Sequence, residues 1–145
     1  MTKHDAVKAF FEPKAMELAG DLLHFNFSPE SVDSISLVTT YSDHVRKKYL
    51  YGAEKEYAFS IIIVKEYSSD GDDLNLVAMN YAQAFMDWME EENRKKHYPD
   101  FPEGCQIKKM ENLQNMPNLA GVSEEGLARY MIQCRITYFE KERTR

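Results

Sequence analysis

The sequence has few cysteines, scattered glycines and no surplus of positive charge, and each shortage closes off a class of function. Cys105 and Cys134 are its only cysteines. They form no C-x-x-C pair, so the chain has neither a disulfide framework nor a paired-thiol metal site. Two buried free thiols are the plain reading, and one disulfide or redox pair is the other. The six glycines are Gly20, Gly52, Gly71, Gly104, Gly121 and Gly126. They match neither a dinucleotide fingerprint nor a P-loop and read as turn residues. His4, His24, His44 and His97 form no H-x-x-x-H or H-x-C arrangement, so metal ligation by paired histidines is not expected. Asp43 and His44 adjoin, but neighbours on a strand point to opposite faces. No serine sits in a G-x-S-x-G elbow. The sequence therefore names no catalytic residues, no metal ligands and no cofactor site, and the chain reads as a non-enzyme.

Two further absences bound the partners. The net charge is −6. A protein that grips phosphates usually carries a basic surplus, so sequence-specific nucleic-acid binding is not expected. No stretch approaches the ~18 apolar residues of a membrane-spanning helix, and Met1-Thr2-Lys3-His4-Asp5 lacks the apolar run of a signal peptide. The acidic run Glu90-Glu91-Glu92 could suggest a cation site. With Arg94-Lys95-Lys96 beside it, it reads as a solvated helix face.

What is present suits one domain over residues 1–145. Hydrophobic residues make up 43% and charged residues 29%, which suffices for a core and argues against disorder. Asp5 to about Leu23 is helical in pattern, with Val7, Phe10, Phe11, Leu18 and Leu22 near a 3.6-residue period. Pro13 predicts a late start, a kink or a split there. Asn26–Asp33 reads as a loop. Strands are expected at Ser34–Tyr41 and Val45–Tyr51, then at Tyr57–Tyr67, whose centre Ile61-Ile62-Ile63-Val64 is apolar on both faces and so belongs inside a sheet. The last two pair as a hairpin across Gly52–Glu56. After a break at Ser68–Asp72, a long helix over about Asp73–Lys96 carries the stripe Leu74, Val77, Ala78, Tyr81, Ala82, Phe85, Trp88 and Met89. Arg94–Lys96 suit the negative end of its dipole. Gln106–Gln114 is a weak strand and Asn115–Gly126 a turn region.

The final strand, Leu127–Glu140, alternates. Ala128, Tyr130, Ile132, Cys134, Ile136 and Tyr138 face one way, while Arg129, Gln133, Arg135 and Thr137 face the other. The order α-β-β-β-α-β-β gives an α+β fold: a mixed or antiparallel sheet of about four to five strands with helices packed on it. Two surfaces are candidates for contact. Tyr49, Tyr51 and Tyr57 flank the hairpin turn beside Arg46, Lys47 and Lys48, an interface composition; an ordinary solvated hairpin is the alternative. The polar face of the last strand offers Arg129, Gln133 and Arg135.

These residues carry a resemblance. Lys48-Tyr49-Leu50-Tyr51-Gly52, then Tyr57-Ala58-Phe59 and its apolar strand, then an acidic break and a helix bearing Asp87-Trp88, resemble the small minor capsid or tail-terminator proteins of long-tailed bacteriophages. The stretches Asn112-Leu113-Gln114-Asn115-Met116-Pro117 and Ala128-Arg129-Tyr130-Met131-Ile132-Gln133-Cys134-Arg135 are similar to a prophage branch of Gram-positive bacteria. The likeness spans roughly residues 30–140 and rests on a pattern of elements, with no catalytic motif. It implies a tail-terminator-like sheet packed on helices and a homo-oligomeric ring, often of six subunits. Such a ring caps the phage tail-tube protein and joins it to the head–tail connector. It also implies a place in the virion, with assembly in the host cytoplasm. A tail-tube or head-completion protein, or a non-viral protein-binding module, would share these features.

Overall fold

In the computed structural model of the chain, which describes residues 2–19, 23–26, 34–66, 73–114, 118–122 and 126–142, the apolar run Ile61–Val64 lies inside a mixed sheet. The elements run α1 (Lys3–Ala19), β1 (His24–Phe25), β2 (Ile35–Tyr49), β3 (Gly52–Glu66), α2 (Asp73–Arg94), β4 (Cys105–Asn112), β5 (Asn118–Val122) and β6 (Leu127–Lys141). The sheet order is β1-β2-β3-β6-β4, and β5 follows β4 along the same edge of β6. β1 and β2 are parallel and the other pairs antiparallel. The fold is α+β, as the sequence pattern implies.

Alternation decides which side of the sheet the helices cover. Tyr57, Phe59, Ile61 and Ile63 of β3 and Ala128, Tyr130, Ile132, Cys134, Ile136 and Tyr138 of β6 are all buried on one face. That is the face assigned to the last strand from its sequence. Ala58 and Val64, on the other side of β3, are buried too, while Ile62 between them is half-buried. From α1, Val7, Phe11 and Ala15 are buried at four-residue steps. Phe11 packs on Phe59, Phe85 and Trp88, with ring centroids 5.3, 6.0 and 5.7 Å away. Buried aromatics of this size contribute about 1.5–3 kcal/mol each.

Several expected boundaries move. α1 starts at Lys3 and runs through Pro13 without a break; one lost backbone donor is tolerated because Phe11 and Ala15 on either side are anchored in the core. In α2 the buried stripe is Ala78, Ala82, Phe85, Met86 and Met89, while Val77 is 65% exposed. The small Ala78 and Ala82 let the helix approach the sheet closely, and that orientation turns Val77 outward. α2 stops at Arg94, and Lys96 takes a left-handed φ of 58°. Glu92 accordingly pairs with His97 at 2.8 Å, while Glu91 takes Arg94 at 2.8 Å and Lys95 at 3.8 Å.

The two strands expected at Ser34–Tyr41 and Val45–Tyr51 are one strand, β2, bent by register shifts between Thr39 and Tyr41, Tyr41 and His44, and Val45 and Lys47. The hairpin turns at Leu50–Tyr51, so Gly52–Glu56 is strand and not connection. β1 and β5 are short strands inside stretches that read as loop or turn. Residues 27–33, 67–72, 115–117 and 123–125, with the break and parts of the turn region placed there, lie outside the described residues.

Candidate assembly surface

Beyond Thr39 the edge strand β2 runs on to the turn at Leu50–Tyr51 as an exposed stretch, here called the arm, lying beside β3, which β6 pairs as far as Gly52 opposite Lys141. Within the second register shift of β2, between Tyr41 and His44, Asp43 has a φ of 59°, a left-handed conformation that aspartate tolerates better than most residues. A bulge adds twist and redirects the strand. Here it also points the Asp43 carboxylate at Lys3, 2.8 Å away at the start of α1. The Tyr138 hydroxyl donates to the same carboxylate. Lys3 reaches Glu140 at 3.2 Å, and Glu140 also pairs with Lys55. The Cys105 thiol donates to Glu140 at 3.6 Å. Five separate elements, α1, β2, β3, β4 and β6, are thus tied together at the base of the arm.

The charges in this cluster hold one another in their ionised forms. Burial works to raise the Asp43 and Glu140 carboxyls, but Lys3 and Tyr138 on the one and Lys55 and Lys3 on the other hold both below the ordinary carboxylate range. Burial works against the Lys3 ammonium, yet Asp43 and Glu140 raise it above its ordinary value. Burial, and then the Asp43 carboxylate, push the Tyr138 phenol up. A groove of about 1010 Å³ opens beside the cluster, lined by Val45, Lys48, Ala53, Lys55, Gly104 and Glu140 among others. Its walls are charged and its mouth is wide. Among the described residues no group of three or more His, Cys, Asp or Glu side chains could hold a metal ion.

From Asp43 to Tyr51 every residue of the arm is exposed. Leu50 and Tyr51 at the tip are 78% and 72% exposed. Tyr49 is partly held, its ring 5.9 Å from Phe139 and edge-on to it, with Lys47 over its face at 5.2 Å. Arg46 meets Glu54 at 3.8 Å. Asn26 closes the parallel pair, its side-chain oxygen accepting from the Thr39 backbone N–H at 2.8 Å. Beyond that point the outer edge of β2 pairs with no strand among the described residues. The bulges and the run of basic side chains blunt that edge against indiscriminate pairing.

The residues singled out from sequence divide accordingly. Arg46, Lys47, Lys48, Tyr49 and Tyr51 come together on the arm. Tyr57 does not join them and is a correction: it lies inside β3, on the face the helices cover, and is fully buried. Its hydroxyl lies 2.7 Å from His4 Nδ1 and 3.0 Å from Thr39 Oγ1. The error follows from placing the turn too late in the chain. Gln133 is exposed and Arg129 half-buried on the far face of β6. Arg135, on that same face, is engaged: it bonds Glu111 at 2.7 and 3.1 Å and Glu56 at 3.1 Å. Thr137 beyond it is buried. The cysteines are both free. Opposite Cys105 stands Glu140, while Cys134 stands opposite Asn112 at the other end of β4, too far for a disulfide. Lys3, Asp43 and Glu140 escaped sequence reading because they lie far apart in the chain and form no local motif.

This architecture has a solved counterpart. A chain in the virion of a native gene transfer agent particle superimposes with a TM-score of 0.63, over 95% of this chain and 95% of its own. The two share 15% sequence identity, so the likeness is one of fold, and it includes nearly every residue of each. No family model matches the chain, and no curated protein matches it.

Proposed function

We propose that this protein is a structural subunit of a phage-type virion, and within that class a tail terminator whose ring closes the tail tube and meets the head connector. The observation that carries the broader reading is the fold shared end to end with a chain from a gene transfer agent virion, a phage-like particle. The finer reading is supported by the sequence resemblance and by the arm. A ring subunit presents different surfaces to its two neighbours, and an exposed basic and aromatic arm anchored at its base by an ion network suits such a contact. In this role the mechanism is geometric. Subunits assemble, and the ring offers one face to the tube and the other to the connector.

The test is to purify the protein, mix it with tail tubes that lack their terminator, and image by negative stain. Rings seated at one end of each tube are the expected result. Decoration along the tube wall, or no binding at all, would contradict the terminator role.

A further inference from the structure

β4 and β2, at opposite edges of the sheet, end differently. Along β4 the outward backbone groups are met by side chains. The Met110 N–H donates to Asn93 Oδ1 at 2.8 Å, and the Tyr98 hydroxyl lies 3.3 Å from the Lys108 carbonyl oxygen. Asn93 stands in the last turn of α2 and Tyr98 just after it, so the helix end closes that edge. Along β2 the cover stops early. The Asn26 N–H donates to the Leu37 carbonyl at 2.8 Å, and the Asn26 side chain takes the Thr39 N–H. From Tyr41 to Tyr49, β2 runs on with no partner strand and no backbone hydrogen bond on its outer side among the described residues. An open edge of this kind is a template for a strand from another chain.

Charge selects the strand. The protein carries a net −6, yet Arg46, Lys47 and Lys48 stand together on this edge. The acidic groups around them are already engaged: Asp43 by Lys3, Glu54 by Arg46 and Glu56 by Arg135. Among the described residues Lys47 and Lys48 make no ion pair; Lys47 lies over the Tyr49 ring, and Lys48 lines the groove beside Lys3. The register from Lys47 to Tyr49 is regular, so these two lysines point to opposite faces of the strand. We infer that the outer edge of β2 is a strand-addition site for an extended acidic segment of a partner protein, with two adjacent carboxylates, one for each face, level with Lys47 and Lys48. The bulges keep the regular stretch short, so the contact depends on the lysines as well as on the backbone. A basic strand is refused, because like charges opposed across strands are unfavourable. A nucleic acid would satisfy the lysines but has no peptide groups to offer the edge. The contact leaves Leu50 and Tyr51 at the tip free to meet a second copy, and it does not depend on the virion reading, which the tube-capping experiment tests separately.

Fluorescence anisotropy with the full chain tests it. The probe is a short labelled peptide with a central Glu-Glu pair flanked by valine and threonine. Saturable binding is expected, and the same peptide with Lys-Lys at its centre should bind at least about tenfold more weakly. Two N-methylated versions of the Glu-Glu peptide, one methylated at odd positions and one at even, should behave differently. One should lose binding and the other keep it, because alternate amides face the edge. Lys47→Glu with Lys48→Glu should reverse the preference to the Lys-Lys peptide; both residues are exposed, so circular dichroism should match wild type. No binding of the Glu-Glu peptide would overturn the proposal. So would equal binding of both methylated forms, which would reduce the contact to charge alone, and so would duplex DNA that binds more tightly than the peptide. A charge-reversed variant that folds and still prefers Glu-Glu would move the site away from this edge.

Discussion

Gly52 sits where the arm turns back into the sheet, and no other residue fits there. A Cβ at this position would lie 2.4 Å from the Glu140 backbone oxygen and 2.5 Å from the Phe139 ring. Phe139 fills the space a side chain would take, and Tyr49 packs against Phe139 in turn. Gly52→Ala must therefore push the backbone of β6 away from β3. A cost of about 1–3 kcal/mol is expected, typical of overpacking, read as a lower urea midpoint with an unchanged slope. A midpoint within error of wild type would mean that the strands part without strain. The glycine is visible in the sequence, but its purpose is not. Among charged residues it reads as part of a turn, and only the register of Gly52 opposite Lys141 on β6 shows that it belongs to a strand.

At the scale of elements, the cluster of Lys3, Asp43, Glu140, Lys55 and Tyr138 links α1 to β2, β3 and β6. Its carboxyls are held below their ordinary values of 3.8 and 4.5, and Lys3 above 10.5. The stability they contribute is present above the unfolded carboxylate values and is lost as pH falls through the folded ones. The Lys3 part persists below 10.5 and is lost as pH rises past its folded value. The plateau covers neutral pH. Lys3→Met should cost up to about 1 kcal/mol at pH 7, a modest figure because Asp43 is half exposed and water screens it. At pH 3 the gap between variant and wild type should shrink. Equal gaps at both pH values would place the effect in packing and not in charge. Local pattern reveals strands and helices well, because β6 alternates and α2 repeats over many residues. It misses β1 and β5, which are too short to show a period, and it splits β2 at Ser42–His44, where polar residues interrupt the alternation but the hydrogen bonding resumes beyond a bulge.

Over the whole molecule, the helices and one sheet face form the core, and the arm stands outside it. The far face of β6 was a candidate surface in sequence, yet Arg135 there is engaged by Glu56 and Glu111, whereas every residue from Asp43 to Tyr51 on the arm is exposed. The polarity of that surface was legible in the residue types Arg46 to Tyr51. Its reach was not, because reach depends on where the turn falls and on a distant ion cluster that fixes the base. The fold shared with a virion chain at 15% identity has the same physical basis. Alternation and helix stripes survive wholesale replacement of residues, while surfaces that choose partners do not.

The central claim is that the arm exists to join copies of this chain, and the mass of the protein in solution tests it most directly. Light scattering on wild type and on a Tyr49→Ser/Tyr51→Ser variant, with circular dichroism to verify folding, gives the answer. The account predicts a multiple of the 16.9 kDa chain mass for wild type and a folded monomer for the variant. Equal masses for the two proteins would contradict it.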